Sequence, residues 1–207
     1  MENIIISIGR QYGSGGRSIG MALSQRLGFE YFDKELMILA AKENGIAPEF
    51  FETHDERSMN IFEKAIQWFE NNISNAEQGS VLSADSLFKM QADAIEKLAA
   101  EKSCIIVGRC SDYILRNNPN CVSIFLHSSE QERIKRICNG LNISKDEAIE
   151  KMAMEDKKRA AYYNFYSNKI WGNSATYNLS VDVSKLGEEQ TVEFIINYLK
   201  MRFPDYL

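Results

Sequence analysis

The chain has 207 residues, 44% hydrophobic and 26% charged, with a formal net charge of −5. That length suits one medium domain, or one domain with an inserted subdomain, around a substantial core. The acidic balance excludes a global basic footprint for nucleic acid, so any anionic ligand must be held by local Arg and Lys clusters. No apolar run approaches membrane-spanning length.

The first element is a short β-branched run, Ile4 to Ile8, which reads as a strand buried on both faces. It stops at a glycine-rich turn, Gly9 to Gly16. From Ser18 the apolar residues Ile19, Met21, Ala22, Leu23 and Leu27 begin a helical pattern that Gly28 closes as a C-cap. Strand, glycine loop and helix start form the context of a phosphate-binding loop. Glycines let the backbone turn its N–H groups inward, and the helix N-terminus adds partial positive charge. Gly13, Ser14, Gly15, Gly16, Arg17 and Ser18 are therefore candidate phosphate ligands, with the Ser18 hydroxyl a candidate for a phosphate-bound Mg²⁺.

The loop departs from the standard G-x-x-x-x-G-K-[ST] pattern. If Ser18 takes the hydroxyl position, the first glycine falls at Gln11 and Arg17 replaces the lysine. If Gly13-Ser14-Gly15 forms a G-x-G core, Gly16 takes the lysine position. In both registers the lysine is absent and Arg17 is near, although an arginine is planar and bulkier.

Phe29 to Phe32 is a second strand candidate ending at Asp33, and Lys34 to Lys42 returns to a helical pattern. Asp33 can act as a helix N-cap or put a carboxylate in the crevice at the strand ends. Residues 44–102 read as almost wholly helical. Phe62 to Ile73 makes an aromatic amphipathic run, Asn71 to Ser83 a polar loop, and Leu87 to Ala99 a longer helix. The aromatic stripe reads as core or as a contact between copies. Asp55, Glu56 and Arg57 precede it in a polar stretch.

Cys104 to Val107 is a third buried strand ending on Gly108-Arg109, and a helix begins near Asp112. A charge at the end of a buried strand is hard to explain by solubility, which singles out Arg109. Val122 to Leu126 is a fourth strand, ending at His127, which reads as a structural histidine. Glu130 to Cys138 is a basic helix carrying Arg133, Lys135 and Arg136, either a solvated face or a phosphate site. Ser144-x-x-Glu147 is a capping box opening a long helix to about Tyr166, with Asp156, Arg159, Tyr163 and Tyr166 on one face. A fifth strand, Tyr177 to Val183, and a last amphipathic helix close the chain. The alternation argues a parallel sheet with helices on both faces.

Cys104, Cys110, Cys121 and Cys138 lack C-x-x-C spacing and read as reduced, mostly buried thiols. No signal peptide precedes the first strand, so a cytoplasmic location is expected.

These motifs resemble the cytidylate kinase-like family of P-loop nucleoside monophosphate kinases. The resemblance rests on Gly13 to Ser18, Tyr31 to Leu36, Val107-Gly108-Arg109, Phe125-Leu126-His127 with Arg133 and Arg136, Asp156-x-x-Arg159 with Tyr162-Tyr163, and Tyr177-Asn178-Leu179. It implies a P-loop NTPase three-layer α/β sandwich, with a five-stranded parallel sheet of order 2-3-1-4-5. The implied core is 1–43, 103–138 and 177–207, with a helical acceptor-side insertion over about 44–102 and a lid over about 139–176. It also implies transfer of the ATP γ-phosphoryl group to a nucleoside monophosphate, CMP or dCMP foremost, with Mg²⁺.

Carried over to this chain, Gly13 to Ser18 would hold ATP, with Ser18 on the metal and Arg17 among the catalytic cations. Arg109 and Asp33 would bind the acceptor, and Arg133, Arg136 and Arg159 would close on the transferring group. Small-molecule nucleotides are the implied partners, without nucleic acid or membrane, and the helical insertion is a candidate surface for a homo-oligomer. Three departures stand out: the loop lysine is missing, Cys110 occupies the acidic position after Gly-Arg, with Asp112 two positions on, and the acceptor-side insertion reads as purely helical and longer than usual. A nucleotide-binding regulator with weak or no kinase activity is the alternative, as is a kinase of another small metabolite.

Overall fold

The computed structural model describes residues 3–33 and 84–205. They fall in two units, one comprising residues 1–31 and 102–207 and the other residues 32–101. The expected helix after Asp33, the aromatic run Phe62 to Ile73, the polar loop before Ala84 and residues Asp55, Glu56 and Arg57 lie outside the described residues.

The first unit is built on β1 (Ile5–Arg10), α1 (Gly16–Leu27) and β2 (Glu30–Phe32), the last reaching into the second unit. After the second unit's α2 (Ala84–Glu101) come β3 (Cys104–Val107), α3 (Ser111–Ile114), β4 (Cys121–His127), α4 (Glu130–Leu141), α5 (Lys145–Ser167), β5 (Leu179–Asp182) and α6 (Val183–Arg202). The sheet order is β2-β3-β1-β4-β5, the expected 2-3-1-4-5. β1 runs parallel to both β3 and β4, with Ile8 opposite Val107 and Ile124, and β4 runs parallel to β5.

The core explains the order. Ile4, Ile6 and Ile8 pack with Ile19 and Leu23 of α1 and with Val192, Ile195, Ile196 and Leu199 of α6. On the alternate positions of β1, Ile5 is also fully buried, and the Ser7 hydroxyl shares a 2.6 Å hydrogen bond with that of Ser111 at the start of α3. A central strand covered on both faces is what the continuous isoleucine run requires. In the second unit, α2 buries Ala94, Ile95, Leu98 and Ala99 on one face.

Local signals and tertiary packing disagree at several ends. α1 starts at Gly16, two residues before its apolar pattern, because the glycines that open it carry no side chain to show periodicity. β5 is shorter than Tyr177 to Val183: Tyr177 turns into an aromatic cluster, and the Asp182 side chain caps α6 through the Ser184 amide at 3.0 Å. α6 is interrupted at Gly187 (φ 77°, ψ 169°), a conformation that side-chain-bearing residues rarely adopt. The Ser144–Glu147 capping box forms as read and starts α5. Cys104, Cys110 and Cys121 are buried free thiols and Cys138 is a half-buried one. Among the described residues, no helix is long and apolar enough to cross a membrane.

Candidate active site

The loop between β1 and α1 owes its shape to two left-handed glycines. Gly13 (φ 78°) and Gly15 (φ 86°) reverse the chain, and Gly15 caps α1 in the αL conformation. Gly13 also lets the loop lie on α4, since a Cβ there would stand 2.9 Å from Ile137 Cδ1 and 3.0 Å from the Arg133 carbonyl. Ser14 is buried, its hydroxyl donating to Gln11 O at 2.9 Å. Inside the helix, Ile19 N is the first amide to find a carbonyl, that of Gly15 at 3.0 Å. The amides of Gly16, Arg17 and Ser18 precede it and lack an intrahelical acceptor, as the first turn of any helix does. Arg17 and Ser18 are exposed, and the Ser18 hydroxyl donates to Gly15 O at 2.8 Å.

The loop's carbonyls are held from outside by arginines. Arg159 Nη1 donates to Arg10 O at 3.0 Å, Arg133 Nε to Tyr12 O at 2.7 Å and Arg136 Nη1 to Gly13 O at 2.7 Å. Within this run the amides of Gln11, Tyr12 and Ser14 are taken by Leu126 O, Asp156 Oδ1 and Gln11 O, so the amides it offers an anion are those at the start of α1, Gly16 to Ser18. Arg133 is only 6% exposed and pairs with Asp156, whose other oxygen accepts the Tyr12 amide at 2.7 Å. The solvated-face reading of Arg133 is thereby excluded. Arg136 is more open and pairs with Glu188 at 2.9 Å. Glu188 lies against the loop itself, with Oε1 2.8 Å from where a Gly15 Cβ would stand.

Beside the loop, a small cleft opens at the carboxyl ends of β1 and β3. Its cations are Arg10, Arg109 and Arg159, and its walls include Asp112, Tyr163, Trp171 and Tyr177. Gly108, Arg109 and Cys110 all have positive φ (82°, 60° and 54°), a strained corner that turns β3 into α3. Gly108 O accepts the Ser111 hydroxyl at 2.9 Å and holds that corner. Burial pushes the Asp112 carboxyl above the usual carboxylate range, opposed by the Tyr163 hydroxyl that donates to it at 2.7 Å. Burial likewise raises the Tyr163 hydroxyl, with the Asp112 charge adding to the effect, and takes Tyr177 up to about 12. Cys110 is also raised to about 12 by burial, so at neutral pH it is a packed thiol, not a nucleophile. Phe125 stands edge-on to Trp171 (5.3 Å between centroids) and against Tyr177 (5.0 Å), behind two residues of the cleft wall.

The sequence-derived candidates therefore sort by location. Arg109 and Arg159 line the cleft, and Gly13 to Ser18 form the adjoining loop, which Arg133 and Arg136 brace. Asp33 is buried and belongs to the second unit. Sequence reading passes over Arg10. Its signal is present: Gly9-Arg10 ends β1 as Gly108-Arg109 ends β3, on neighbouring parallel strands. Among the described residues, no group of three or more His, Cys, Asp or Glu could hold a metal ion.

A family model for the cytidylate kinase-like family matches residues 5–185. A cytidylate kinase of Methanosarcina barkeri is 23% identical over 150 residues, 71% of this chain and 82% of that protein. Among solved structures, the chain is similar to an uncharacterized protein from Eubacterium ventriosum, with a TM-score of 0.72 at 27% identity, over 96% of this chain and 99% of that one. A shikimate kinase from Bacteroides thetaiotaomicron reaches 0.54 at 14% identity, over 95% and 98%, a likeness of fold alone.

Proposed function

The chain belongs to the cytidylate kinase-like family, and from that premise we propose that it transfers the γ-phosphoryl group of ATP to a nucleoside monophosphate, CMP or dCMP foremost. The observation that supports this is a cleft at the ends of β1 and β3 that gathers Arg10, Arg109 and Arg159, with the stem of Arg10 lying over Gly16 at the end of the glycine loop. Phosphoryl transfer asks little covalent chemistry of a protein. It needs in-line positioning and positive charge on the equatorial oxygens, and several arginines from different elements supply both.

In this reading the Gly13–Ser18 loop binds the donor phosphates, Arg109 the acceptor phosphate, and Arg159 spans the two. Arg133 is a positioning residue that acts through the Tyr12 carbonyl, and Arg136 does the same through Gly13 while staying open enough to reach a phosphate. Asp112 and Tyr163, hydrogen-bonded to each other in the wall, are the groups available to an acceptor base. Ser18 fits a role on Mg²⁺, because its proton is committed to Gly15 O and its lone pairs are left to accept a cation. The ion, when bound with ATP, would neutralise phosphate charge.

A second reading is a nucleotide-binding regulator that transfers little or nothing. It is favoured by one observation, the absence of lysine at both loop registers. A coupled assay for ADP formation from MgATP against CMP, dCMP, UMP, AMP and GMP, with a no-acceptor control, separates the two. Acceptor-dependent ADP with CMP or dCMP preferred supports the kinase. ADP without acceptor dependence points to a different small metabolite as acceptor. Tight ATP binding with no ADP at all supports the regulator.

A further inference from the structure

Gly16 is the first residue of α1, the position that lysine occupies in the register set by Gly13-Ser14-Gly15. No side chain fits there. A Cβ at Gly16 would stand 2.8 Å from both Cβ and Cγ of Arg10 and 3.5 Å from Cδ. The space above the loop glycine is filled by the stem of Arg10, which leaves the last position of β1 and crosses the helix start. Its guanidinium continues to β3, where a Cβ on Gly108 would overlap Nη1. Two glycines from distant parts of the chain thus clear a path for one arginine. The Arg10 side chain ends in the cleft that also holds Arg109 and Arg159.

We infer that Arg10 is the cation of the donor-phosphate site, entering from the strand before the loop instead of from the helix after it. The inference rests on the kinase reading and removes the main objection to it, since the missing lysine is replaced in space and not in sequence. A lysine in the standard loop reaches the β- and γ-phosphates as a point charge. The Arg10 guanidinium, whose stem passes Gly16 and whose head lies at Gly108, can bond two oxygens at once, on one phosphate or on neighbouring ones. The Arg10 backbone is itself anchored, because Arg159 donates to its carbonyl. Arg17, exposed on the first turn of α1, carries its charge outside this path.

The test uses calorimetric titration of MgATP and MgADP into the full-length protein. The variants are Arg10→Met, Arg10→Lys and Arg17→Ala, each checked for cooperative melting. Arg10→Met keeps the stem over Gly16 and removes the charge. It is expected to weaken MgATP binding about tenfold or more, the scale of a lost charge-assisted hydrogen-bond pair, and to weaken MgADP binding less. Arg10→Lys falls between. A purely structural role predicts that Arg10→Met is silent, and that result overturns the inference while leaving the kinase reading intact. Loss of affinity in Arg17→Ala with none in Arg10→Met overturns it too. Wild-type protein that binds neither nucleotide removes both. If Arg10→Met does not melt cooperatively, Arg10→Gln takes its place, with the same expectations.

Discussion

Arg133 and Asp156 hold Tyr12 from both sides of its peptide: Arg133 Nε donates to the Tyr12 carbonyl and Asp156 Oδ1 accepts from the Tyr12 amide, each at 2.7 Å, while the two side chains pair with each other. The ion pair therefore serves the loop and not only the α4–α5 contact. Removing one partner leaves the other charge poorly compensated in a largely dry place. Asp156→Ala is expected to lower stability by about 2–4 kcal/mol, discounted from a fully buried pair because Asp156 keeps some solvent. It should also weaken nucleotide binding. Urea denaturation reads the first effect, and an unchanged midpoint would show that the clasp is ornamental.

Arg109 sits in a left-handed corner at the end of β3, with its side chain in the cleft. As the acceptor-phosphate ligand, it predicts a split effect. Arg109→Ala raises the KM for the monophosphate about 10- to 100-fold, the loss of a charged, bidentate contact, and leaves MgATP affinity nearly unchanged. Initial-rate kinetics with each substrate varied in turn decides it. An unaltered acceptor KM would take Arg109 out of the site.

The raised carboxyl of Asp112 makes a prediction about pH. A carboxylic acid whose pKa is higher in the folded chain binds more protons there than when unfolded. Stability then falls as pH climbs from the ordinary 3.8 toward the folded value. Asp112→Asn keeps an acceptor for the Tyr163 hydroxyl and abolishes the titration. The variant should lose less stability than wild type between about pH 4 and neutrality. Melting temperatures across that range test it, and parallel curves would assign the pH dependence elsewhere.

Glu188 places a carboxylate on the loop that is proposed to take phosphates, and neutralises Arg136 while it is there. A polyanion entering the loop must push against it. Glu188→Gln is therefore expected to tighten MgATP binding about two- to fivefold, a modest gain because the Arg136 pair is partly exposed. The gain should shrink as salt is raised. Weaker binding in the variant would mean that Glu188 orients Arg136 productively.

Much of this is legible in sequence because it is local. The isoleucine run, the glycine loop, the capping box at Ser144 and the C-cap at Gly28 each depend on residues a few positions apart; the capping box and the C-cap form as read, while the strand continues past Ile8 to Arg10, into what reads as the glycine turn. The order of the sheet follows from the resemblance. What escapes reading is long-range. Nothing near Arg10 in sequence says that Gly16 and Gly108 will leave room for its side chain, since that requires β1 and β3 to be neighbours. The alternatives for Arg133 can be decided only by burial against Tyr12 and Asp156. The break at Gly187 escapes for another reason, because one glycine in a helical pattern is usually tolerated.

Trp171 is one of only two tryptophans in the chain, the other being Trp68. Its ring stands edge-on to Phe125 and in the wall of the arginine cleft. Indole emission shifts with the polarity around the ring, and a phosphate-bearing ligand beside it changes that polarity. With Trp68→Phe, the protein becomes a single-chromophore sensor of its own occupancy. Stopped-flow fluorescence could then time each arrival and departure without a label on either partner.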